Sequence, residues 1–226
     1  MANIFGLEDL ENNPTTRIPV ILCADVSGSM SGLPIHELNE GVRTLYDSIK
    51  GDTTAYCAAE IAVVTFGGDA KTHSYFTPLY NQPYAPNFTA DGGTPMGEAV
   101  NMALDMLERR KNEYKRCGVT YYQPWLILMT DGQPNGSATE LQRAKLRTVE
   151  LVNSRKLTVF PIGIGRSADM NTLADFSPVY KPMRLKGLNF TEFFKWLSMS
   201  VASVAKSRPD ELFSLDLNSI KSWGEL

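Results

Sequence analysis

Short apolar runs alternate with amphipathic helical periods along most of this 226-residue chain. Runs such as 61–66 and 125–129 are almost continuously apolar, which is typical of strands buried on both faces of a parallel sheet. Helical periods between most strands imply right-handed crossovers and helices on both faces of the sheet. The predicted strands cover residues 18–24, 60–66, 71–77, 124–130, 157–163 and 179–185.

The fold class is therefore α/β: a three-layer, doubly wound, mostly parallel six-stranded sheet. One edge strand, 71–77, is predicted to be antiparallel, because only a short turn at Gly67-Gly68-Asp69 separates it from the preceding strand. The predicted organisation is an N-terminal extension over residues 1–16, one domain over 17–206 and a C-terminal tail over 207–226.

Composition narrows the classes of partner. With 22 basic against 25 acidic residues, the chain has a net charge of -3 and no electrostatic footprint for nucleic acid or an anionic membrane surface. We therefore expect neither a nucleic-acid nor a membrane partner. Three scattered cysteines form no disulfide framework, and the N-terminus lacks a signal-peptide pattern, so a cytoplasmic location is expected.

The run Asp25-Val26-Ser27-Gly28-Ser29 follows the first predicted strand directly. Alternate residues of an extended loop point the same way, so one carboxylate and two hydroxyls can converge there. Such oxygens suit a hard divalent cation. Asp131 follows strand 124–130 and Thr94 begins the helix that feeds it. All of these residues can meet at the carboxyl edge of the sheet, where strand order reverses.

The order Asp25-x-Ser27-x-Ser29, Thr94, Asp131 resembles the metal-ion-dependent adhesion site of von Willebrand factor A domains, over residues 17–206. It is most similar to the compact bacterial subgroup associated with tellurite-resistance operons. That similarity rests on segments 17–20, 25–32, 34–35, 38–39, 92–97 and 131–134. One departure from that subgroup is Ala24-Asp25-Val26, which leaves the five ligands intact.

The resemblance implies a VWA/Rossmann-like fold and a role for each residue. Ser27 and Ser29 would bind the cation directly, and Thr94 would do so in the open state. Asp25 and Asp131 would act largely through bound water. Mg²⁺ fits best because it keeps waters and accepts few carboxylates, with Mn²⁺ or Ca²⁺ as alternatives. The sixth position would be left for a partner's carboxylate.

The function implied is a divalent-metal-dependent protein-interaction module rather than an enzyme, with no catalytic residue assigned. The cation would bridge to an Asp or Glu of a protein partner in a bacterial stress or tellurite-resistance system, a kinase or phosphatase of the same operon being a candidate. Loops 67–70, 78–93 and 133–138 would frame the contact. The alternatives are a Mg²⁺-dependent hydrolase or phosphoryl-transfer enzyme using the same site, and a structural subunit with a vestigial site.

Several residues also have a simpler interpretation as parts of the local structure. Thr94 alone would be a good N-cap before Pro95, and Asp131-Gly132 a common turn. Segment 163–168 fits a loose dinucleotide fingerprint, although a strand-to-helix turn is favoured. His36 and His73 have no partner at zinc-site spacing. The cluster Arg109-Arg110-Lys111 is interpreted as the solvated end of a helix.

Overall fold

The structure, a computed structural model, describes residues 9–10, 15–82, 84–208, 220 and 223–225. Its strands are β1 (Ile18–Asp25), β2 (Ala59–Gly67), β3 (Asp69–Ser74), β4 (Trp125–Thr130), β5 (Thr158–Gly163), β6 (Met183–Leu185) and β7 (Gly224–Glu225). They form one sheet in the order β3-β2-β1-β4-β5-β6-β7.

Helices cover both faces of this sheet. They are α1 (Leu33–Lys50), α2 (Thr53–Ala58), α3 (Met96–Cys117), α4 (Ala138–Asn153), α5 (Met170–Ala174) and α6 (Phe190–Ala205). Short 3-10 turns lie at Gly28–Met30 and Leu79–Asn81. Among the described residues, none of the helices combines the length and apolarity that crossing a membrane requires.

The predicted fold class, a doubly wound and mostly parallel α/β sheet, is confirmed. Strands β2, β1, β4, β5 and β6 are parallel neighbours, and β3 is antiparallel to β2 at one edge. The prediction of six strands with one antiparallel edge is wrong by one strand, because β7 pairs antiparallel with β6 at the other edge.

Two local features explain how β3 and β7 differ from the predicted strands. The turn before β3 pivots on Gly68, whose φ of 72° lies in the left-handed region, so β3 starts at Asp69 instead of residue 71. Strand β7 lies within the predicted tail. It is two residues long, and it follows Trp223, which is fully buried against Phe193 and Trp196. So short a strand carries no periodicity to detect.

The core has two layers because successive side chains of β1 point to opposite faces of the sheet. Ile18, Val20 and Leu22 pack toward α1, α2 and α6, where the apolar partners include Val42, Leu45, Phe190, Phe193 and Phe194. Ile21 and Cys23 pack on the other face, toward α3 and α4, with Val100, Leu104, Leu107 and Ala144 among their partners.

Strand β1 lies inside the sheet between β2 and β4, and the chain goes from it to β2 on one side and later to β4 on the other. The carboxyl ends of β1 and β4 therefore flank the point where strand order reverses. In open α/β sheets this is the position of ligand sites.

A buried ionic cluster lies at the amino-terminal ends of the strands, opposite the ends that carry the candidate site. Glu60, near the start of β2, is fully buried and accepts two hydrogen bonds from Arg110 at 2.7 Å. Tyr114 donates a third at 2.7 Å, and Arg17 lies 3.6 Å away. The interpretation of Arg109-Arg110-Lys111 as a solvated helix end is therefore wrong for Arg110 and for Lys111, which is also buried, whereas Arg109 is exposed.

Candidate metal site

Asp25 ends β1 with its carboxylate fully buried. The Ser27 amide donates to Asp25 Oδ1 at 2.8 Å, and the buried Thr130 hydroxyl donates to Oδ2 at 2.5 Å. Burial raises the pKa of Asp25, while these hydrogen bonds oppose the rise and the nearby Asp131 carboxylate adds to it. Donors from two strand ends therefore orient both carboxylate oxygens. The negative charge of the ionised Asp25 is buried, where desolvation makes it unfavourable.

The two serines of the first loop connect this carboxylate to the second one. Ser27 Oγ and Ser29 Oγ lie 3.1 Å apart, and Ser29 Oγ donates to Asp131 Oδ1 at 2.8 Å. The bond between Ser29 and Asp131 joins residues 102 positions apart in the chain. It links the loop after β1 to the loop after β4.

Thr94 lies on a third segment that packs against the first loop through its backbone. The Gly28 amide donates to Gly92 O at 2.9 Å, and the Asp91 amide donates to Val26 O at 2.8 Å. Thr94 itself is buried, with its backbone held by the loop after β4. The structure therefore brings Asp25, Ser27, Ser29 and Asp131 into one hydrogen-bonded network and places Thr94 on the adjoining segment.

The interpretation of Thr94 as the N-cap of α3 is wrong. Pro95 occupies that position, the helix begins at Met96, and no side chain caps it. The Thr94 hydroxyl is therefore not used for capping.

Glycines allow three chain segments to meet beside the site. A Cβ atom at Gly67 would lie 2.5 Å from Val26 O and 2.6 Å from Asp91 O. At Gly92, where φ is 73°, it would lie 2.4 Å from the Cα of Gly68. Gly67 and Gly68 were predicted as a turn before β3 but not as a close backbone approach, although the pairs Gly67-Gly68 and Gly92-Gly93 were a signal for one.

The donor set fits a hard divalent cation bound mainly through hydroxyls and water. Among the described residues, no group of three or more His, Cys, Asp or Glu side chains could hold a metal ion. A cation at this edge of the sheet would therefore depend on Ser and Thr oxygens beside the two aspartates. The contacts of Ser27 and Ser29 show that such oxygens converge here.

The other candidates from the sequence have local roles. Segment 163–168 connects β5 to α5, and Asp169 caps α5 by accepting hydrogen bonds from the amides of Asn171 and Thr172. This agrees with the strand-to-helix turn that was favoured over a nucleotide loop. His73 packs edge-on against Phe88, and burial lowers its pKa.

The fold and site together define a three-layer α/β domain with a hydroxyl–carboxylate cluster at its switch point. The chain belongs to the von Willebrand factor type A domain family, whose profile matches residues 20–185.

Two curated relatives are much longer than the region that matches this chain. Inter-alpha-trypsin inhibitor heavy chain H2 of Mus musculus is 25% identical over 185 residues, covering 78% of this chain and 18% of that protein. Heavy chain H4 of Sus scrofa is 29% identical over 154 residues, covering 65% of this chain and 15% of that protein. The chain therefore spans less than a fifth of the length of these relatives.

Solved structures share the fold at low identity. A von Willebrand factor type A protein from Catenulispora acidiphila has a TM-score of 0.61 at 18% identity, covering 83% of this chain and 43% of that one. Manganese-loaded TRAP protein of Plasmodium vivax has a TM-score of 0.52 at 20% identity, covering 77% of this chain and 70% of that one. Proximal thread matrix protein 1 from the mussel byssus, with a zinc-occupied MIDAS motif, has a TM-score of 0.51 at 19% identity, covering 83% of this chain and 48% of that one.

Proposed function

We propose that this chain is a protein-interaction module that depends on a divalent cation. Ser27, Ser29 and Thr94 would hold the cation directly, and Asp25 and Asp131 would act largely through bound water. The observation that carries the proposal is the 2.8 Å hydrogen bond from Ser29 to Asp131, which joins the two loops that must share the ion.

The chemistry of these ligands suits recognition of an acidic group. Neutral hydroxyls leave most of the cation's charge uncompensated, so it attracts an outside carboxylate. We therefore propose that a partner protein supplies an Asp or Glu to the remaining position. Mg²⁺ is the proposed resident ion because it retains water and accepts few carboxylates. The manganese and zinc in two proteins of the same fold support a divalent ion at this place, with Mn²⁺ or Ca²⁺ as alternatives.

The wider setting forms part of the same proposal. The segments that resemble the bacterial tellurite-resistance subgroup support a cytoplasmic role in a stress or tellurite-resistance system. A kinase or phosphatase of the same operon is then a candidate for the acidic partner. The subgroup and this setting rest on the resemblance alone.

Direct titration with Mg²⁺ and Mn²⁺ in a calorimeter tests the metal site. The wild type should bind one equivalent, and Ser29→Ala should lose most of the affinity. Ser31→Ala is the matched control, because Ser31 is an exposed serine of the same turn outside the motif. Wild-type protein that binds neither ion, or a control that fails as Ser29→Ala does, would contradict the proposal.

A capture experiment tests the interaction itself. Immobilised wild type and Thr94→Ala are compared, each with Mg²⁺ and with chelator, and bound proteins are identified by mass spectrometry. A genuine partner should be retained only by the metal-loaded wild type. Replacing one acidic residue of that partner by its amide should then abolish retention. Capture that ignores both the substitution and the chelator removes the proposed mechanism.

We propose that the chain is not an enzyme, with Mg²⁺-dependent hydrolysis as the competing function. Two carboxylates beside a metal can orient a water. Within the described part of the chain, however, the side-chain hydrogen bonds of Asp25, Ser29 and Asp131 involve hydroxyl and backbone groups, with no Lys, Arg or His among the partners. Phosphatase and nucleotide-hydrolysis assays with Mg²⁺ and Mn²⁺ should show no turnover above that of Ser29→Ala.

A further inference from the structure

Asn135, in the loop after β4, holds the backbone of Thr94 at two points. Its side-chain Oδ1 accepts a hydrogen bond from the Thr94 amide at 2.6 Å, and its own amide donates to Thr94 O at 3.1 Å. Both backbone polar groups of Thr94 are thus bound to one residue. The motif does not include Asn135, and the sequence predicted only that its loop, 133–138, would frame the partner contact.

The neighbouring glycine leaves room for this contact. A Cβ atom at Gly93 would lie 2.8 Å from Asn135 Oδ1 and 3.2 Å from its Nδ2. Any side chain at residue 93 would therefore displace the amide that holds Thr94. The pairing of Gly93 with Asn135 is consistent with a dedicated contact between the two loops.

The starts of the two following helices reinforce the same connection. Glu98, in the first turn of α3, accepts a hydrogen bond from the Ser137 amide at 2.7 Å. Asn101 donates to Glu140 O at 2.9 Å. A Cβ atom at Gly97 would lie 2.3 Å from the Leu141 amide nitrogen, so the helix backbones nearly touch. These contacts therefore fix the Thr94 segment and the Asp131 loop relative to each other.

We infer that Asn135 is a positioning residue that fixes the Thr94 hydroxyl for the cation; this rests on the proposed metal-dependent function. A neutral hydroxyl is a weak ligand, so its contribution depends on being held in place before the ion arrives. Residues that orient metal ligands typically change metal affinity by about 10–100-fold when they are removed. Asn135 would act on the ion only through Thr94.

The first test needs no metal. Hydrogen exchange of the Thr94 amide is measured by NMR in metal-free wild type, Asn135→Ala, Asn135→Asp and Gln133→Ala. Protection should fall at least about tenfold in Asn135→Ala and persist in Asn135→Asp, which keeps an acceptor oxygen. Gln133, an exposed residue of the same loop, is the matched control and should leave protection unchanged. Equal protection in Asn135→Ala and wild type would overturn the inference.

The second test measures Mn²⁺ affinity by calorimetry in a double-mutant cycle. Asn135→Ala should weaken binding about tenfold or more, whereas Asn135→Asp and Gln133→Ala should bind at least as tightly as wild type. In a Thr94→Ala background, Asn135→Ala should cause no additional loss. The inference would be overturned if the affinity losses of Asn135→Ala and Thr94→Ala were fully additive. It would also be overturned if Gln133→Ala lost as much Mn²⁺ affinity as Asn135→Ala. Wild-type protein that binds no Mn²⁺ would instead overturn the proposed function, and the amide-exchange result would stand by itself.

Discussion

Thr130 shows how a single hydroxyl outside the five-residue motif supports the site. It is fully buried at the end of β4 and donates to Asp25 Oδ2 at 2.5 Å, while its oxygen accepts from the Gly132 amide at 3.2 Å. It thus connects the aspartate of the first loop to the turn that carries Asp131. A carboxylate that is buried without such a donor is unfavourable, because desolvation is left uncompensated.

Thr130→Val should therefore weaken both metal binding and the metal-free fold. Replacing the hydroxyl by a methyl group leaves Asp25 Oδ2 unpaired, which should cost about 1–3 kcal/mol in the free energy of unfolding. Mg²⁺ affinity should fall by about 10–100-fold. Urea denaturation and calorimetric titration measure the two effects. Thr130→Ser keeps the hydroxyl and should retain most of the affinity; a serine variant as defective as the valine variant would contradict this account.

At the level of elements, the glycine junction beside the site sets how closely three segments approach. Gly92→Ala would force a Cβ atom against the Gly68 backbone at 2.4 Å while φ is 73°. Gly118→Ala is the matched control, because its φ is 66° and nothing lies within 4 Å. The control should lose about 1–2 kcal/mol of unfolding free energy from backbone conformation alone. Gly92→Ala should lose clearly more by urea denaturation; equal losses would show that the junction tolerates a side chain.

The first turn of α2 is stabilised by Asp52, whose charge makes the contribution pH-dependent. Its carboxylate accepts hydrogen bonds from the Thr54 and Ala55 amides at 3.1 Å and from Lys206 at 2.6 Å. The hydrogen bond from Lys206, followed by those from the helix amides, lowers the pKa of Asp52 below its ordinary value. The folded state therefore favours the ionised form.

Asp52→Asn removes this charge while keeping a good N-cap residue. Above the unfolded-state pKa of about 3.9, wild type should be slightly more stable than the variant, by about 1 kcal/mol or less because the pair is on the surface. The difference should shrink as pH falls through the lowered folded-state pKa, where Asp52 is protonated in both states. Thermal melts from pH 7 to pH 2 measure it. A difference that grows on acidification would contradict the assigned sign.

Considered as a whole molecule, the layers and the grouping of Asp25, Ser27, Ser29 and Asp131 could be predicted because their signals are local. The apolar runs of β1 and β4 and the polar residues directly after them are adjacent in the chain, so their relation follows from strand topology. The contact of Asn135 with Thr94 spans 41 residues and depends on where two loops meet. Arg109 and Arg110 are neighbours on one helix, and periodicity alone did not show which of them reaches the buried Glu60. A two-residue strand such as β7 has no period at all.

The buried ionic cluster and the candidate metal site lie at opposite ends of the same strands, so stability and metal binding should be separable. Glu60 lies near the start of β2 and Gly67 at its end, which places them about 20 Å apart at the usual rise per residue. Arg110→Ala would leave Glu60 buried without its two hydrogen bonds from the guanidinium group, with Tyr114 and Arg17 still beside it. Breaking one side of a buried ion pair typically costs about 3–5 kcal/mol.

Arg110→Ala should therefore lose about that much unfolding free energy, while the folded fraction retains wild-type Mn²⁺ affinity. Urea denaturation and calorimetry of the same samples measure the two quantities. Arg109→Ala is the control. This exposed arginine lies over the Tyr75 ring, with its Cζ 5.5 Å from the ring centroid, and its removal should cost about 1 kcal/mol or less. A parallel loss of Mn²⁺ affinity in Arg110→Ala would mean that the two edges are energetically coupled. The sheet would then transmit strain from the ionic cluster to the loops that carry Asp25 and Asp131.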